Sequence, residues 1–263
     1  MSSHSSRPPV ILAFSAHDPS GAAGIQADIE SINANGAFCV SVLTALTAQN
    51  TARFETLIPQ TADAFRVQAR LLLDDIQVDA FKIGLIGSAE LVHEIATILK
   101  AYPDKPVVLD PVLHAGTGTG LADDQLIGAI RRTLLPLVTV LTPNVKEARK
   151  LADAQETDRA AAALLAAGCN NVLITGADEP TAEVVNTLYS PGSPPNKFHW
   201  ERLPGIYHGS GCTLAAAIAA RLALGDSVPQ AVERAQNYCW QTLKQGRQLG
   251  RAQLHPDRSP RSK

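Results

Sequence analysis

The sequence has 263 residues, of which 45% are hydrophobic, and a formal net charge of -2 at pH 7. This length and apolar content suffice for one large α/β domain or two small ones. The small net charge gives no global basic field to attract nucleic acid or a membrane surface, and no apolar run approaches the ~18 residues of a spanning helix. We therefore predict a protein that binds neither nucleic acid nor membranes.

The start of the chain and the cysteines bear on the cellular compartment. Residues 1–8 are polar and lack the apolar core of a signal peptide, so we predict a disordered leader there. The cysteines are widely separated and show no CxxC spacing, which predicts neither a zinc site nor a disulfide framework. They are Cys39, Cys169, Cys212 and Cys239. Both features favour a cytoplasmic location.

Short apolar segments alternate with longer amphipathic segments through most of the chain. The predicted strands are Val10–Ala16, Val40–Leu46, Ala80–Ile86, Val107–Val112, Val138–Thr142 and Val172–Thr175. The predicted helices are Ile25–Ala34, Ala62–Asp75, Glu90–Ala101, Asp124–Leu135, Val145–Asp153 and Arg159–Ala167. The strands lack polar alternation, which is typical of a parallel sheet covered on both faces. The pattern predicts a three-layer α/β/α sandwich with a mainly parallel central sheet.

The pattern changes after Gly176. Two segments, Val184–Tyr189 and Lys197–Leu203, flank a turn rich in proline, glycine and serine and are predicted to form a hairpin at the sheet edge. Two helices follow, at Thr213–Leu224 and Val228–Leu249. No linker divides the chain, so we predict one domain over residues 9–250. Residues 251–263 are rich in proline, arginine and serine, and we predict that this tail is disordered.

A glycine-rich turn, Gly209-Ser210-Gly211-Cys212, leads into the first of these two helices. Glycines let backbone N–H groups approach an anion closely, and a helix N-terminus carries about half a positive charge. Cys212 stands where a thiol pKa is expected to fall, which would favour a thiolate. The alternative is an ordinary turn followed by a buried cysteine. No Gly-Lys pair occurs, which excludes a Walker A loop.

A second loop, His17–Asp28, follows the first predicted strand and opens the first helix. The carboxyl edge of a parallel sheet is where ligands bind in α/β folds. The small residues of this loop leave room for a ligand, and Asp28 is placed one turn into the helix. The alternative is a structural loop in which Asp18 and Ser20 form Asx-type turns and Asp28 is solvated.

Several ordered motifs resemble those of the hydroxymethylpyrimidine/phosphomethylpyrimidine kinases. Ala16–Asp28 is similar to the first signature of that family, and Ala45–Thr51, which contains Gln49, to its next block. The closing motif is Gly209–Thr213. Between them lie three further motifs in the family order, at Lys82–Gly84, Leu109–Val112 and Leu141–Asn144 with Glu147. The resemblance covers about residues 9–248 and implies a ribokinase-like fold.

The resemblance implies a role for each matching residue. Cys212 takes the catalytic position, and Gly209, Ser210 and Gly211 form an anion hole. Asp28 and Gln49 hold the pyrimidine, and a glutamine amide both donates to and accepts from an aminopyrimidine edge. The resemblance further implies Mg²⁺ and ATP, with Asp110 and Glu147 serving the metal, and Asn144 and Glu147 serving the nucleotide. The structural alternatives are turn capping for Asp110 and Asn144, and a solvated helical turn for Glu147.

The implied activity is phosphorylation of 4-amino-5-hydroxymethyl-2-methylpyrimidine and then of its monophosphate, in thiamine biosynthesis. Two alternatives stay open: a pyridoxal kinase of the same superfamily, and a catalytically silent pyrimidine-binding regulatory protein. The resemblance also leads us to expect a homodimer.

The sequence departs from the family pattern at three places. Ala22 replaces a common glycine, and His17 replaces serine or threonine. Thr175-Gly176-Ala177 stands where many members have Lys-Gly-Gly, so a cation that would neutralise phosphate is missing there.

Overall fold

The computed structural model describes residues 7–114 and 120–259. Its strands are β1 (Val10–His17), β2 (Phe38–Gln49), β3 (Phe54–Pro59), β4 (Ala80–Ile83), β5 (Val107–Leu109), β6 (Val140–Leu141), β7 (Val172–Ile174), β8 (Glu183–Tyr189) and β9 (Asn196–Glu201). Its helices are α1 (Gly24–Ala34), α2 (Ala62–Asp75), α3 (Ala89–Lys100), α4 (Asp124–Ala129), α5 (Val145–Ala152), α6 (Thr157–Ala166), α7 (Ser210–Ala223) and α8 (Val228–Lys244).

The strands form one sheet in the order β3-β2-β1-β4-β5-β6-β7-β8-β9. The pairs from β2 through β1 and β4 to β7 are parallel, whereas β3 and the β8–β9 hairpin are antiparallel additions at the two edges. The carboxyl ends of the parallel strands therefore share one edge, which is where the loops after β1, β4, β5 and β6 emerge.

Alternate residues of the central strands pack into two separate cores. Leu12 and Phe14 of β1 join the core beneath α2 to α6, whereas Ile11 and Ala13 join the core beneath α1, α7 and α8. This is the period-2 side-chain alternation of a strand covered on both faces. The predicted three-layer α/β/α sandwich with a mainly parallel sheet is confirmed.

Two elements differ from the prediction. Strand β3 was not predicted, because its Phe-Glu-Thr-Leu-Ile-Pro sequence lies at the sheet edge, is largely exposed and has no long apolar run. The predicted helix Asp124–Leu135 is regular only to Ala129 and continues as a π-helical turn, Ile130–Leu134, and a short 3₁₀ turn. Pro136 in that last turn lacks the N–H that a continuing α-helix requires.

The tail also differs from the prediction over residues 251–259, which pack against the domain instead of being disordered. Leu254 pairs with Tyr207 and His255 with Arg247 in short bridges, and the Arg258 side chain is only 2% exposed. Buried polar partners, which composition does not reveal, hold this segment in place. The predicted leader lies mostly outside the described residues, although Arg7 forms an ion pair with Asp79 at 2.8 Å.

Candidate active site

Two helix N-termini meet at the carboxyl edge of the sheet. The turn before α7 ends at Gly209, whose φ of 79° favours glycine, and a Cβ there would overlap the carbonyl oxygen of Ala22 in the β1–α1 loop. Gly24, the first residue of α1, likewise approaches the backbone of Ala16 too closely for a side chain. No side chain caps α7, so its first N–H groups are left for an anion.

Cys212 lies at this junction, on the first turn of α7. The Gly24 backbone and the Asp110 carboxylate both lie close to its thiol, and each influences its titration. The residue as a whole is partly exposed, but its thiol is buried, and this burial raises the pKa of Cys212 to about 12. The nearby carboxylates raise the pKa further, whereas the Lys82 ammonium lowers it. The predicted lowering of this pKa is therefore wrong, because burial and two carboxylates outweigh the helix N-terminus.

A fully buried ion pair lies behind the cysteine. The Lys82 ammonium is 2.7 and 2.8 Å from the two carboxylate oxygens of Asp28, and neither side chain has exposed surface. Gly84 makes room for the pair, since a Cβ there would lie 2.7 Å from Lys82 Nζ. Burial alone lowers the pKa of Lys82, but Asp28, Cys212 and Asp110 reverse this and raise it, so the ammonium is retained.

Asp28 was predicted to hold the substrate. In the structure its carboxylate pairs with the Lys82 ammonium and lines neither of the two cavities at this junction, so its geometry suits the positioning of Lys82.

Gln49, at the end of β2, lines the same small cavity as Cys212, His17 and Phe54. Its Nε2 donates to Thr47 Oγ1 at 3.0 Å, and the Thr47 hydroxyl in turn donates to the His17 carbonyl. These bonds fix the amide with its oxygen still available. The structure thus brings the predicted substrate residue Gln49 and the predicted catalytic residue Cys212 to one cavity.

Glu147 and Asn144 form a reciprocal capping box at the start of α5. Asn144 Oδ1 accepts the Glu147 N–H at 2.8 Å, and Glu147 Oε2 accepts the Asn144 N–H at 3.0 Å. Glu147 Oε1 accepts a further N–H, from Leu113, at 3.2 Å. The capping alternative for Asn144 is therefore confirmed, whereas Glu147 is buried and not in a solvated turn.

Asp110 and Glu147 are buried carboxyl groups that destabilise each other's charge. Burial raises the pKa of Asp110 to about 6 and that of Glu147 to about 8, and the Asp110 charge contributes to the second shift. In the described part of the chain, no group of three or more His, Cys, Asp or Glu side chains is arranged to hold a metal ion. These two carboxylates therefore need further ligands, such as phosphate oxygens and water, to complete a cation site.

A larger cavity of about 490 Å³ lies on the other side of the α7 turn. Ser210 and Gly211 contribute to its wall, together with Thr175, Ala177 and Leu214. This volume is within the ~300–1,000 Å³ range of small-molecule sites. The Gly209–Cys212 turn thus separates a small cavity that contains Gln49 from a large one.

Sequence reasoning did not identify His208 as a site residue. Its Nε2 lies 3.0 Å from Asp18 Oδ2, and both side chains are buried at the wall of the small cavity. Burial raises the pKa of Asp18, but hydrogen bonds from His208 and Ser20 overcome it and lower the pKa to about 2. The Asx-type turn expected at Asp18 is confirmed by its bonds to the Ser20 and Ala23 N–H groups, both 2.9 Å.

The comparisons with known proteins agree with this geometry. A family model described as phosphomethylpyrimidine kinase matches residues 18–257. The chain belongs to this family. The hydroxymethylpyrimidine/phosphomethylpyrimidine kinase of Streptomyces coelicolor is 41% identical, and the alignment covers 92% of this chain and 91% of the relative. The Bacillus subtilis kinase of the same name is 34% identical over 86% of each chain.

Solved structures in and around the phosphomethylpyrimidine kinase family share the fold. A phosphomethylpyrimidine kinase from Clostridium difficile has a TM-score of 0.76 at 31% identity, covering 88% of this chain and 97% of that one. Pyridoxal kinase from Bacillus subtilis, solved with ADP, has a TM-score of 0.87 at 30% identity, covering 95% and 97%. The ribokinase-like fold implied by the motifs is confirmed.

Two of the departures from the family pattern have a structural account. Ala22 is not among the described residues with positive φ, so alanine replaces glycine there without backbone strain. Gly176 must stay glycine, because a Cβ would overlap the Val185 carbonyl oxygen, and the residues on either side of it line the large cavity without offering a cation.

Among the described residues, no helix is both long and apolar enough to cross a membrane.

Proposed function

We propose that the chain is an ATP-dependent kinase that phosphorylates 4-amino-5-hydroxymethyl-2-methylpyrimidine and then its monophosphate, yielding the pyrophosphate used in thiamine biosynthesis. One observation carries this proposal: the Gly209–Cys212 turn stands between the cavity lined by Gln49 and the cavity of about 490 Å³. A phosphoryl group that passes from a nucleotide in the large cavity to a hydroxymethyl group in the small one must cross this turn. The names of the relatives supply the acceptor class.

In this proposal the hydroxymethyl oxygen of the substrate attacks the γ-phosphorus of ATP. A new P–O bond forms between these two atoms, and the bond from the γ-phosphorus to the oxygen that leaves with ADP breaks. The N–H groups at the start of α7 stabilise the charge on the transferred group. Cys212 is a neutral thiol at neutral pH, since its pKa is about 12. It can therefore receive the hydroxyl proton only as it passes its own proton to the neighbouring Asp110 carboxylate.

Asp110 and Glu147 suit a magnesium ion carried by the nucleotide. Mg²⁺ keeps several waters and is held by one or two carboxylates together with substrate phosphates, which fits the incomplete set of protein ligands at this site. The ion would also relieve the repulsion between the two buried carboxylates. When bound, it supplies charge neutralisation for the transferred phosphoryl group.

A coupled assay with separate acceptors tests the function. The parent protein should turn over hydroxymethylpyrimidine with Mg·ATP, and Gln49→Leu should weaken pyrimidine affinity about 5- to 150-fold, because an unmet buried hydrogen bond costs about 1–3 kcal/mol. ATP affinity should be unchanged in that variant, and Gln68→Leu on the exposed face of α2 serves as the control. A parent protein that binds the pyrimidine but transfers no phosphoryl group from ATP to it would indicate the catalytically silent alternative.

Pyridoxal is the second candidate acceptor. The pyridoxal kinase of Staphylococcus aureus, solved with AMP-PCP and pyridoxal, has a TM-score of 0.88 at 26% identity, above the 0.76 of the phosphomethylpyrimidine kinase structure. Pyridoxal also carries a hydroxymethyl group on a six-membered nitrogen ring. If it is the main substrate, kcat/KM for pyridoxal will exceed that for the pyrimidine.

The cytoplasmic location and the homodimer stay predictions.

A further inference from the structure

The C-terminal segment, residues 250–258, forms hydrogen bonds to separate chain segments that contribute to the small cavity. The Gln253 N–H donates to the Thr51 carbonyl at 3.1 Å, just beyond the end of β2 that carries Gln49. The Leu254 N–H donates to Ile206 at 2.8 Å, and its carbonyl accepts the His208 N–H at 2.9 Å. The segment therefore joins the end of β2 to the chain that leads into Gly209.

Two side chains of the same segment reach the β1–α1 loop. His255 Nε2 lies 3.0 Å from the Ser20 carbonyl oxygen. Arg258 donates to the Ala22 carbonyl, and its Nε donates to Thr213 Oγ1 at 2.8 Å. A third branch of the guanidinium lies 3.5 Å from the Gly21 carbonyl. Arg258 thus links the loop that opens α1 to the first turns of α7.

The burial of Arg258 is not explained by charge pairing alone. Its side chain is 2% exposed and forms an ion pair at 3.2 Å with Glu30, which is 55% exposed; the buried Asp28 carboxylate also interacts with its charge but is already paired with Lys82. A buried cation with such a solvated partner contributes little net stability compared with an apolar side chain. The planar guanidinium group instead holds several hydrogen-bond acceptors in one fixed geometry, which a lysine ammonium does not do.

The geometry fixed by Arg258 is the one on which the anion turn depends. Gly209 packs directly on the Ala22 backbone, and Gly24 of the same loop lies beside the Cys212 thiol. Any slip of the β1–α1 loop along α7 therefore moves Cys212 and the helix N–H groups relative to the acceptor oxygen. The family match ends at residue 257, so this arginine lies just outside it.

We propose that Arg258 is a positioning residue for phosphoryl transfer, which holds the β1–α1 loop in register with the start of α7. The role rests on the proposed kinase function. Arg258 does not line either cavity described above, so its removal should lower kcat more than it changes KM.

The test compares Arg258→Ala and Arg258→Lys with the matched control Arg247→Ala. Arg247 lies close to the same segment, but its guanidinium is 59% exposed and pairs with Asp257. At a temperature well below each melting point, Arg258→Ala should lower kcat about 10- to 100-fold, since misplacement by about 1 Å costs up to 10² in rate. KM for the pyrimidine and for ATP should change less than about threefold, because uniform binding is retained.

Arg258→Lys should fall between alanine and the parent, and Arg247→Ala should keep the parental kcat. Amide hydrogen exchange provides a readout that needs no kinase activity. Peptides that cover residues 18–25 and 208–214 should exchange about tenfold faster in Arg258→Ala than in the parent, since local opening becomes easier.

Parental kcat and parental exchange in a folded Arg258→Ala would overturn the proposal. If that variant does not fold, Arg258→Lys decides: parental kcat overturns the proposal, and a lowered kcat with unchanged KM supports it. If the parent itself phosphorylates no acceptor, the proposed function fails, whereas the exchange data still show whether Arg258 holds the two segments together.

Discussion

At the scale of single residues, the neutral thiol of Cys212 sets the chemistry that the site allows. A thiol with a pKa of about 12 has almost no thiolate at neutral pH. It still lies close to the Asp110 carboxylate and to the Gly24 backbone. Phosphoryl transfer depends mainly on positioning and charge stabilisation, so a strong base is not required for the attacking hydroxyl.

Cys212→Ala should lower kcat for the first phosphorylation by about 10²-fold or more, since a proton-transfer or oxyanion contact is lost. The second phosphorylation should be affected less, because its acceptor is a phosphate oxygen that is already largely deprotonated. Both rates are measured in single turnover with a variant whose melting temperature matches the parent. A parental first-step rate in this variant would reduce Cys212 to a packing residue.

Cys212→Asp provides the companion measurement. The new carboxyl group is buried beside Asp110 and Asp28, and burial and like charge raise its pKa. Its charged form is populated only as pH rises through that pKa, so the activity of this variant should increase with pH. A pH-independent rate would show that no base is needed at this position.

At the scale of elements, Gly209 and Gly225 bound the same helix, α7, and both have positive φ, at 79° and 92°. A Cβ at Gly209 would overlap Ala22, whereas a Cβ at Gly225 meets open space. Alanine should therefore cost about 1 kcal/mol of stability at Gly225 through backbone strain alone. At Gly209 it should also displace the α7 N-terminus.

The expected result is that Gly209→Ala loses kcat by about 10²-fold, since the turn misplaces its N–H groups, while Gly225→Ala keeps the parental kcat. Steady-state kinetics and thermal unfolding of both variants check this. Equal loss of activity in the two variants would show that strain, and not the anion turn, is responsible.

Several elements were predictable because their signals are local. The helix at Ala62–Asp75 was predicted with its observed ends, since Thr61 caps it and the apolar spacing is regular. Strand β3 was missed because an edge strand buries little and needs no apolar run. The ordered tail was missed because Arg258 is held by Thr213, 45 residues away, and by three partners more than 200 residues away in the chain, which no local pattern reveals.

At the scale of the whole molecule, the motifs predicted which segments lie together at the site, but not which charged side chains pair there or how their pKa values shift. Gln49 ends β2, Asp110 directly follows β5 and Cys212 lies on the first turn of α7, and the three meet at the carboxyl edge of the sheet, where the β/α alternation predicts a site. Whether Asp28 faces a ligand or Lys82 depends on how α1 packs against the sheet, and the direction of each pKa shift depends on burial. These quantities arise from tertiary structure.

The buried carboxylates should make the stability of the whole molecule depend on pH. Burial, followed by the Asp110 charge, raises the pKa of Glu147 from 4.5 to about 8. The folded state therefore binds this proton more tightly than the unfolded state. The stabilisation is fully present below the unfolded pKa and is lost as pH rises towards 8, with a slope of at most about 1.4 kcal/mol per pH unit.

Glu147→Gln removes this titration, so its free energy of unfolding should fall less than that of the parent between about pH 5 and pH 8. Urea unfolding at four pH values measures the difference. Glu94→Gln is the control, because hydrogen bonding to Arg66 lowers the pKa of Glu94 and places its titration below this window. Mg·ATP should flatten the parental curve as well, since a cation beside Asp110 and Glu147 stabilises their charged forms. An unchanged slope in Glu147→Gln would mean that Glu147 is already ionised in the free protein, with its charge balanced by the N–H groups of Leu113 and Asn144.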